Sequence, residues 1–430
     1  MKPLADIVAR HKGGEAVGVY SLCSAHPTVI ASAMREARSA GSSLLIEATS
    51  NQVNQFGGYT GMRPVEFRQF VRDIAARIGF PDERVWFGGD HLGPNAWRAE
   101  PAETAMAKAA EMVRGYVAAG FRKLHLDCSM ACAGDPSTLP EEVVAKRAAN
   151  LCAAAELASR EAGGEPPVYV IGTEVPTPGG ATEELEKLYV TTPASAAATI
   201  ETHRAAFASP GLEAAWPRVI ALVVQPGVEF DHYKVIDYRP QKASSLSAFV
   251  GGQPQFVFEA HSTDYQPADA LKALVRDHFA ILKVGPAATF ALRETLWGLA
   301  AIEQELFRHA PVPDFRRTVV DVMRADPRHW RGHYREDSAT LDLDLQYSLS
   351  DRIRYYWPYP EVERARVAMC ERLDRAQIPG ALLSQFLPRQ FAAIRSGRIG
   401  AKTTDILYEG VAATLRPYIG ACGGPVGQAA

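Results

Sequence analysis

Eight short segments of the chain are apolar without alternation, and most of them end on a charged or amide side chain. They cover residues 16–21, 43–48, 84–89, 123–127, 168–173, 219–225, 255–260 and 280–284. An unbroken apolar run of that length predicts a strand covered on both faces, as in a parallel sheet. Between the runs lie stretches that read as helical, over 27–39, 64–78, 101–119, 141–161, 192–208 and 267–277. Several open with proline or with Ser, Thr or Asp, residues suited to the first helical turn and the N-cap. Asp135-Pro136-Ser137 and Thr191-Thr192-Pro193 punctuate the connecting loops. Strand and helix alternating in this way predict an α/β fold, a (β/α)8 TIM barrel. The rival, a doubly wound sheet, normally carries a glycine-rich phosphate turn near its start, and this chain has none.

An eighth helix is expected over 287–307, and beyond Pro311 the chain turns helical and Arg-rich, as over 315–324 and 361–373. The division that follows is a barrel over 1–305 and a helical C-terminal appendage over 306–430. Such an appendage either covers a barrel end or makes a subunit interface. The aromatic run Tyr355-Tyr356-Trp357 suits an interface and a core equally. The glycine-rich tail from Gly420 is expected to be mobile.

Composition narrows the function classes. An apolar fraction of 47% and a charged fraction of 22% over 430 residues suit a soluble enzyme with a large core. A net charge of −3 with no basic block argues against nucleic acid or an anionic membrane as partner. No run of 18 apolar residues predicts a transmembrane helix, and Met1-Lys2-Pro3-Leu4-Ala5-Asp6 does not read as a signal peptide. Six cysteines without a repeated framework point to reduced thiols and a cytoplasmic protein. A homo-oligomer is the expected assembly.

The chemistry concentrates where strands end. Asp90-His91 follows Val85-Trp86-Phe87-Gly88-Gly89 without a gap, and the glycines allow a sharp turn and a close ligand. An imidazole there can bind a divalent ion while the neighbouring carboxylate moves a proton. The plainer alternative is a structural Asp-His pair orienting a loop. His261 ends Phe256-Val257-Phe258-Glu259-Ala260, and strand period puts Glu259 on its face as a partner for the imidazole. Its alternative is a hydrogen-bonded core histidine.

Glu174, after Val170-Ile171-Gly172-Thr173, either ligates metal, acts as a base, or forms a structural salt bridge. Asp127, on one face with His125, or Cys128, pointing away, can complete a coordination sphere. Lys283 can neutralise a phosphate or form a Schiff base. After it, Gly285-Pro286-Ala287 leads into a helix whose N-terminus suits phosphate. Asn51 and Gln52 follow strand two and suit sugar hydroxyls. Gln225, Ser262, Thr263, Asp264 and Gly285 complete the candidate substrate-binding set. There is no GxxxxGK[ST] loop and no HExxH.

Taken together, 88–97, 124–132, 172–180, 223–230, 258–266, 282–293 and 348–358 resemble the Z-type subunit family of D-tagatose-1,6-bisphosphate aldolase. The resemblance implies a class II aldolase-like barrel and a place in tagatose or galactitol-type catabolism. By motif, Asp90 matches the acid of the class II Asp-His pair, and His91 and His261 match metal-binding histidines. The departure is at strand six, where catalytic class II aldolases place a metal histidine and this chain has Gln225. A third ligand would then come from Glu174 or Asp127. The expected activity is a metal-dependent aldolase or epimerase acting on a keto-sugar phosphate, with zinc as the first choice of metal. The alternative is a non-catalytic subunit that stabilises a Y-type aldolase partner. Family members are also called tagatose-6-phosphate kinases, a label for which this chain shows no nucleotide motif.

Overall fold

The computed structural model of the chain describes residues 2–172, 188–208, 211–310, 312–336 and 338–423. All eight apolar runs form strands: β1 (Val19–Leu22), β2 (Leu44–Thr49), β3 (Val85–Leu92), β4 (Lys123–Leu126), β5 (Val168–Ile171) and β6 (Val219–Val224) come first. A small antiparallel ribbon, β7 (Glu229–Phe230) and β8 (Val235–Ile236), precedes β9 (Val257–Ala260) and β10 (Ile281–Val284). The eight long partners close in the order β1-β10-β9-β6-β5-β4-β3-β2, every pairing parallel. The predicted TIM-type barrel is the observed fold.

Helices occupy the predicted intervals, and among the described residues seven α-helices begin on proline: Pro27–Ser39, Pro64–Ile78, Pro193–Phe207, Pro240–Gly251, Pro286–Leu306, Pro360–Ala376 and Pro388–Arg395. A proline at the first position lacks only an N–H that the helix leaves unpaired anyway. Thr192 caps its helix by accepting from the Ser195 N–H at 3.1 Å.

Period two along each strand sorts the interior into layers. At one end Val19, Leu45, Val168, Val257 and Ile281 form an apolar floor, against which Leu4 and Val8 pack from the helix Lys2–Lys12. That helix is absent from the pattern-based reading, as is Pro240–Gly251. One step along from the floor come Glu47, Lys123, Glu259 and Lys283, all buried. The next step brings Asp90, His125 and His261 to the mouth.

The C-terminal segment is packed into the barrel wall. Its last helix, Thr403–Ala421, contacts the helices Pro27–Ser39, Ala268–Arg276 and Pro286–Leu306. Its end is tied to β1 by the Gly18 N–H, which donates to the Cys422 carbonyl at 3.3 Å. Tyr418 donates to the Thr263 carbonyl at 2.6 Å, just beyond β9. Gly420, where a mobile tail was expected to begin, lies inside this helix; residues 424–430 are outside the described ones. All six cysteines are free thiols. Among the described residues no helix is long and apolar enough to cross a membrane.

Leu415 is fully buried in that last helix. Leu415→Ala is therefore expected to cost about 3 kcal/mol in a urea unfolding titration. A loss under ~0.5 kcal/mol would show that the helix is not part of the barrel's stability.

Candidate functional site

The site is built upward from a buried layer of opposite charges. Lys123 Nζ lies 2.6 Å from Glu47 Oε1 and 2.6 Å from Glu259 Oε2. Lys283 pairs with the other oxygen of Glu47, with Asp90 Oδ1 at 3.0 Å, and with Glu259 Oε1 at 3.9 Å. Gly88, on β3, stands between Glu47 and Lys123 in register. A Cβ there would come within 2.8 Å of Glu47 Cγ, so only glycine leaves the bridge its path. Burial disfavours charge here, yet for both lysines and for Glu259 the pairing wins. Lys283 is held well above its ordinary value by Asp90, Glu47 and Glu259, and Lys123 is raised by Glu259 and Glu47. Burial likewise opposes the Glu259 carboxylate, but Lys123 and Lys283 hold it below its ordinary range.

Three imidazoles stand on this layer. The ring centroids of His91, His125 and His261 are 4.9 to 5.2 Å apart. One ligand atom from each, with a carboxylate oxygen of Asp90, forms a set lying within 4.8 Å of one another. His91 Nδ1 lies 2.7 Å from Asp127 Oδ2, and an ionised carboxylate only accepts, so Nε2 carries the lone pair. By the same logic His261 Nε2 donates to Glu259 Oε1 at 2.9 Å and Nδ1 is left as the donor atom to a cation. Burial lowers His261 to about 4, which keeps it neutral and ligand-competent. Burial also works against ionised Asp90, but Lys283, then His91, His125 and His261, outweigh it and hold the carboxyl well below its usual range. His91 has φ of +47° and Ser262, after His261, has φ of +52°. Non-glycine residues held there are strained, and here both sit where a strand end turns an imidazole toward the centre.

The charges at this centre call for a cation. Lys123 and Lys283 face Glu47, Glu259, Asp90 and Asp127, which leaves negative charge in excess of the lysines, and Asp90 and Asp127 outweigh burial to raise His91 in answer to it. A divalent ion on the histidines would neutralise it. Cys23 is a poor further ligand: burial pushes its thiol well up, and it donates to Asp90 Oδ2 at 3.7 Å.

Above the centre opens a cavity of about 280 Å³. Asp90, His91, His261 and Lys283 form its base, and Asn51, Gln52, Ser262, Asp264 and Gly285 line its wall. Other residues expected here are engaged elsewhere. Gln225 lies away from the cavity, its amide oxygen accepting from the Gly227 and Val228 N–H groups at 2.8 and 3.0 Å. Thr263 is turned inward and donates to the Lys283 carbonyl at 2.6 Å. Glu174 falls outside the described residues. Asp127 stands behind His91 instead of joining the atoms that converge at the centre.

The two groups expected to hold phosphate, Lys283 and the Gly285 turn, are both engaged by carboxylates. The Lys283 ammonium is surrounded by three carboxylates, which satisfies its charge. The N-terminus of Pro286–Leu306 is already filled: the Gly285 and Ala287 N–H groups both donate to Asp264 Oδ1, at 3.0 and 2.8 Å. His125 was missed as a centre residue, though Leu124-His125-Leu126-Asp127 alternates in a way that aims it inward with Lys123. Arg98, Arg352, Arg354 and Tyr355 also line the cavity; the last three lie in the stretch 348–358 that carries part of the family resemblance, but no local pattern places them at the barrel mouth.

A model of the D-tagatose-1,6-bisphosphate aldolase subunit GatZ/KbaZ-like family matches residues 4–423. The chain belongs to that family. A chain of similar structure is a probable tagatose 6 phosphate kinase from Sinorhizobium meliloti 1021, 48% identical, with a TM-score of 0.87. That match covers 94% of this chain and 100% of the other. The YdjI aldolase from Escherichia coli K12 aligns at 11% identity and TM-score 0.42, covering 88% of this chain and 98% of its own. A fructose-bisphosphate aldolase from Campylobacter jejuni aligns at 14% and 0.45, covering 86% and 92%.

In this GatZ/KbaZ-like protein, removing one member of the charge layer should be costly. Lys123→Met leaves Glu47 and Glu259 facing each other and is expected to destabilise the fold by about 3–5 kcal/mol in chemical denaturation. A change below ~1 kcal/mol would mean that the layer is hydrated and not a closed ion network.

Proposed function

We propose that the protein is a metal-dependent enzyme of the aldol type, an aldolase or epimerase that acts on a keto-sugar phosphate. The observation that carries this reading is the convergence of three imidazoles, two with carboxylate partners of their own, beside an ionised Asp90. Carboxylate–histidine pairs of this kind orient metal ligands and raise their basicity. A protein that serves only to stabilise a partner has no use for ligands held in one tautomer over a costly buried charge layer.

His91, His125 and His261 would hold a divalent ion, with zinc the best match to an imidazole set. Glu174, from outside the described residues, remains a candidate fourth ligand. Such an ion, when bound, polarises a carbonyl and stabilises the negative charge that develops on its oxygen. The chain's own part is proton transfer and orientation. Asp90 accepts the proton of a sugar hydroxyl as the adjacent carbon–carbon bond breaks, and returns it when a bond re-forms. Lys283 keeps Asp90 ionised and fixed at 3.0 Å. Asp127 and Glu259 set the tautomers of His91 and His261. Asn51, Gln52 and Ser262 are placed on the cavity wall to meet hydroxyl groups.

The test begins with metal content. The purified chain is expected to hold close to one divalent ion, and His261→Ala to lose it. Asp127→Asn should bind about 10–100-fold more weakly while keeping the fold. Metal-loaded chain alone, given ketohexose phosphates, should either cleave them or invert a carbon, as followed by NMR. Absence of metal in the wild type, or activity confined to mixtures with a separate aldolase, would overturn the reading in favour of an accessory subunit. Turnover that consumes ATP would favour the kinase.

A further inference from the structure

The cavity has a positively charged roof, supplied largely by the C-terminal segment. Arg352 and Arg354 both line it, with Arg98 from beyond β3. The two guanidinium carbons sit 4.9 and 4.5 Å from the centroid of the same Tyr355 ring. Arg352 Nε donates to the His329 carbonyl, and Arg354 donates to the Ser350 and Asp351 carbonyls and to Tyr355 Oη at 2.9 Å. These bonds fix the guanidiniums in place but neutralise neither. Among the described residues no carboxylate forms an ion pair with Arg98, Arg352 or Arg354. Asp351, the nearest in sequence, is turned away toward Thr289 and Arg293. Three cations therefore face one small cavity with no ion-pair partner of their own, Asp264 on the cavity wall being held by the Gly285 and Ala287 N–H groups while it feels the charge of Arg354. Their field is felt nearby: burial, then Arg352 and Arg354, with a smaller push from Arg98, lowers His333 to about 4.

The opposite arrangement holds where barrels of this class commonly bind phosphate. The helix N-terminus after β10 is filled by Asp264, and Lys283 is neutralised by three acids. An incoming phosphate there would meet carboxylates. Planar guanidinium forks, by contrast, match phosphate oxygens in pairs.

We infer that the substrate's phosphate binds beneath the C-terminal segment, against Arg98, Arg352 and Arg354, while the sugar's carbonyl end points to the histidine centre. This rests on the proposed function for the identity of the sugar end, but the anion site stands on the arginines alone. Because only one group of unpaired cations lines the cavity among the described residues, the site suits a sugar with one terminal phosphate.

Inorganic phosphate is the probe, titrated calorimetrically into the metal-loaded full chain. Arg354→Gln is expected to weaken binding by about tenfold or more, the loss of a charge-assisted bond, and exposed Arg98→Gln by ~3-fold. Arg354→Lys, which keeps the charge, should recover part of the affinity. If Arg354→Gln folds poorly, Arg98→Gln and Arg354→Lys still carry the test. Phosphate affinity within twofold of wild type in both Arg98→Gln and Arg354→Lys, together with a rise of more than tenfold in Asp264→Asn, would place phosphate at the helix N-terminus and overturn the inference. A ketohexose bisphosphate that binds over tenfold more tightly than its monophosphate would overturn the single-phosphate assignment. Metal content, measured on the same samples, separates the two readings. Intact metal with arginine variants that bind phosphate normally sinks this inference alone. A metal-free chain that still binds phosphate through the arginines sinks only the proposed function.

Discussion

The ion network formed by Glu47, Lys123, Glu259 and Lys283 governs the interior of this barrel. Four charges removed from water would each cost several kcal/mol, so they persist only because every one has partners at close range. Glu259 spans two levels: one oxygen meets Lys123 at 2.6 Å and the other receives His261 at 2.9 Å. Lys283 does the same, joining Glu47 below to Asp90 above. The imidazole and carboxylate positions at the mouth are thus consequences of how the layer beneath is paired. Shifting any strand by one residue would turn its charge out into the apolar helix layer, so the network also specifies register.

Backbone geometry completes what the ion pairs begin. Gly88 leaves space for Glu47 to reach across β3. Farther along the same strand the pairing with β4 shifts register between Gly89 and Leu92, and His91 adopts its positive φ inside that shift. Gly93 then approaches β4 so closely that a Cβ would lie 1.6 Å from the Asp127 carbonyl oxygen. That approach is what brings the Asp127 carboxylate behind His91. Local strain at His91 and tight contact at Gly93 thus meet on the end of β3, and Ser262 carries a second strained position just beyond β9.

The sequence disclosed the barrel because parallel strands buried on both faces leave unbroken apolar runs, and all eight runs became strands. It disclosed Asp90, His91 and His261 because each directly terminates such a run. What it could not disclose is which neighbour already engages a polar group. Gln225 looked available and instead holds its own turn; Gly285 looked like an anion seat and instead holds Asp264. Lys283 looked like a free cation and is enclosed by acids. Arg352 and Arg354 were invisible for a different reason. They reach the barrel mouth through the tertiary path of a segment far along the chain, which no local period records.

That path gives the C-terminal segment two tasks. Its last helix closes the wall beside β1, while its earlier arginines and Tyr355 close the cavity above the histidines. The cavity therefore lies between a negatively charged base and a positively charged roof, each belonging to a different part of the chain. A field of that direction orients any ligand with one anionic end before a single hydrogen bond forms, because the reversed pose sets phosphate against carboxylates. Chemistry at the base and recognition at the roof are joined through the helix Pro286–Leu306, which follows β10 directly and packs against the Arg352–Tyr356 segment.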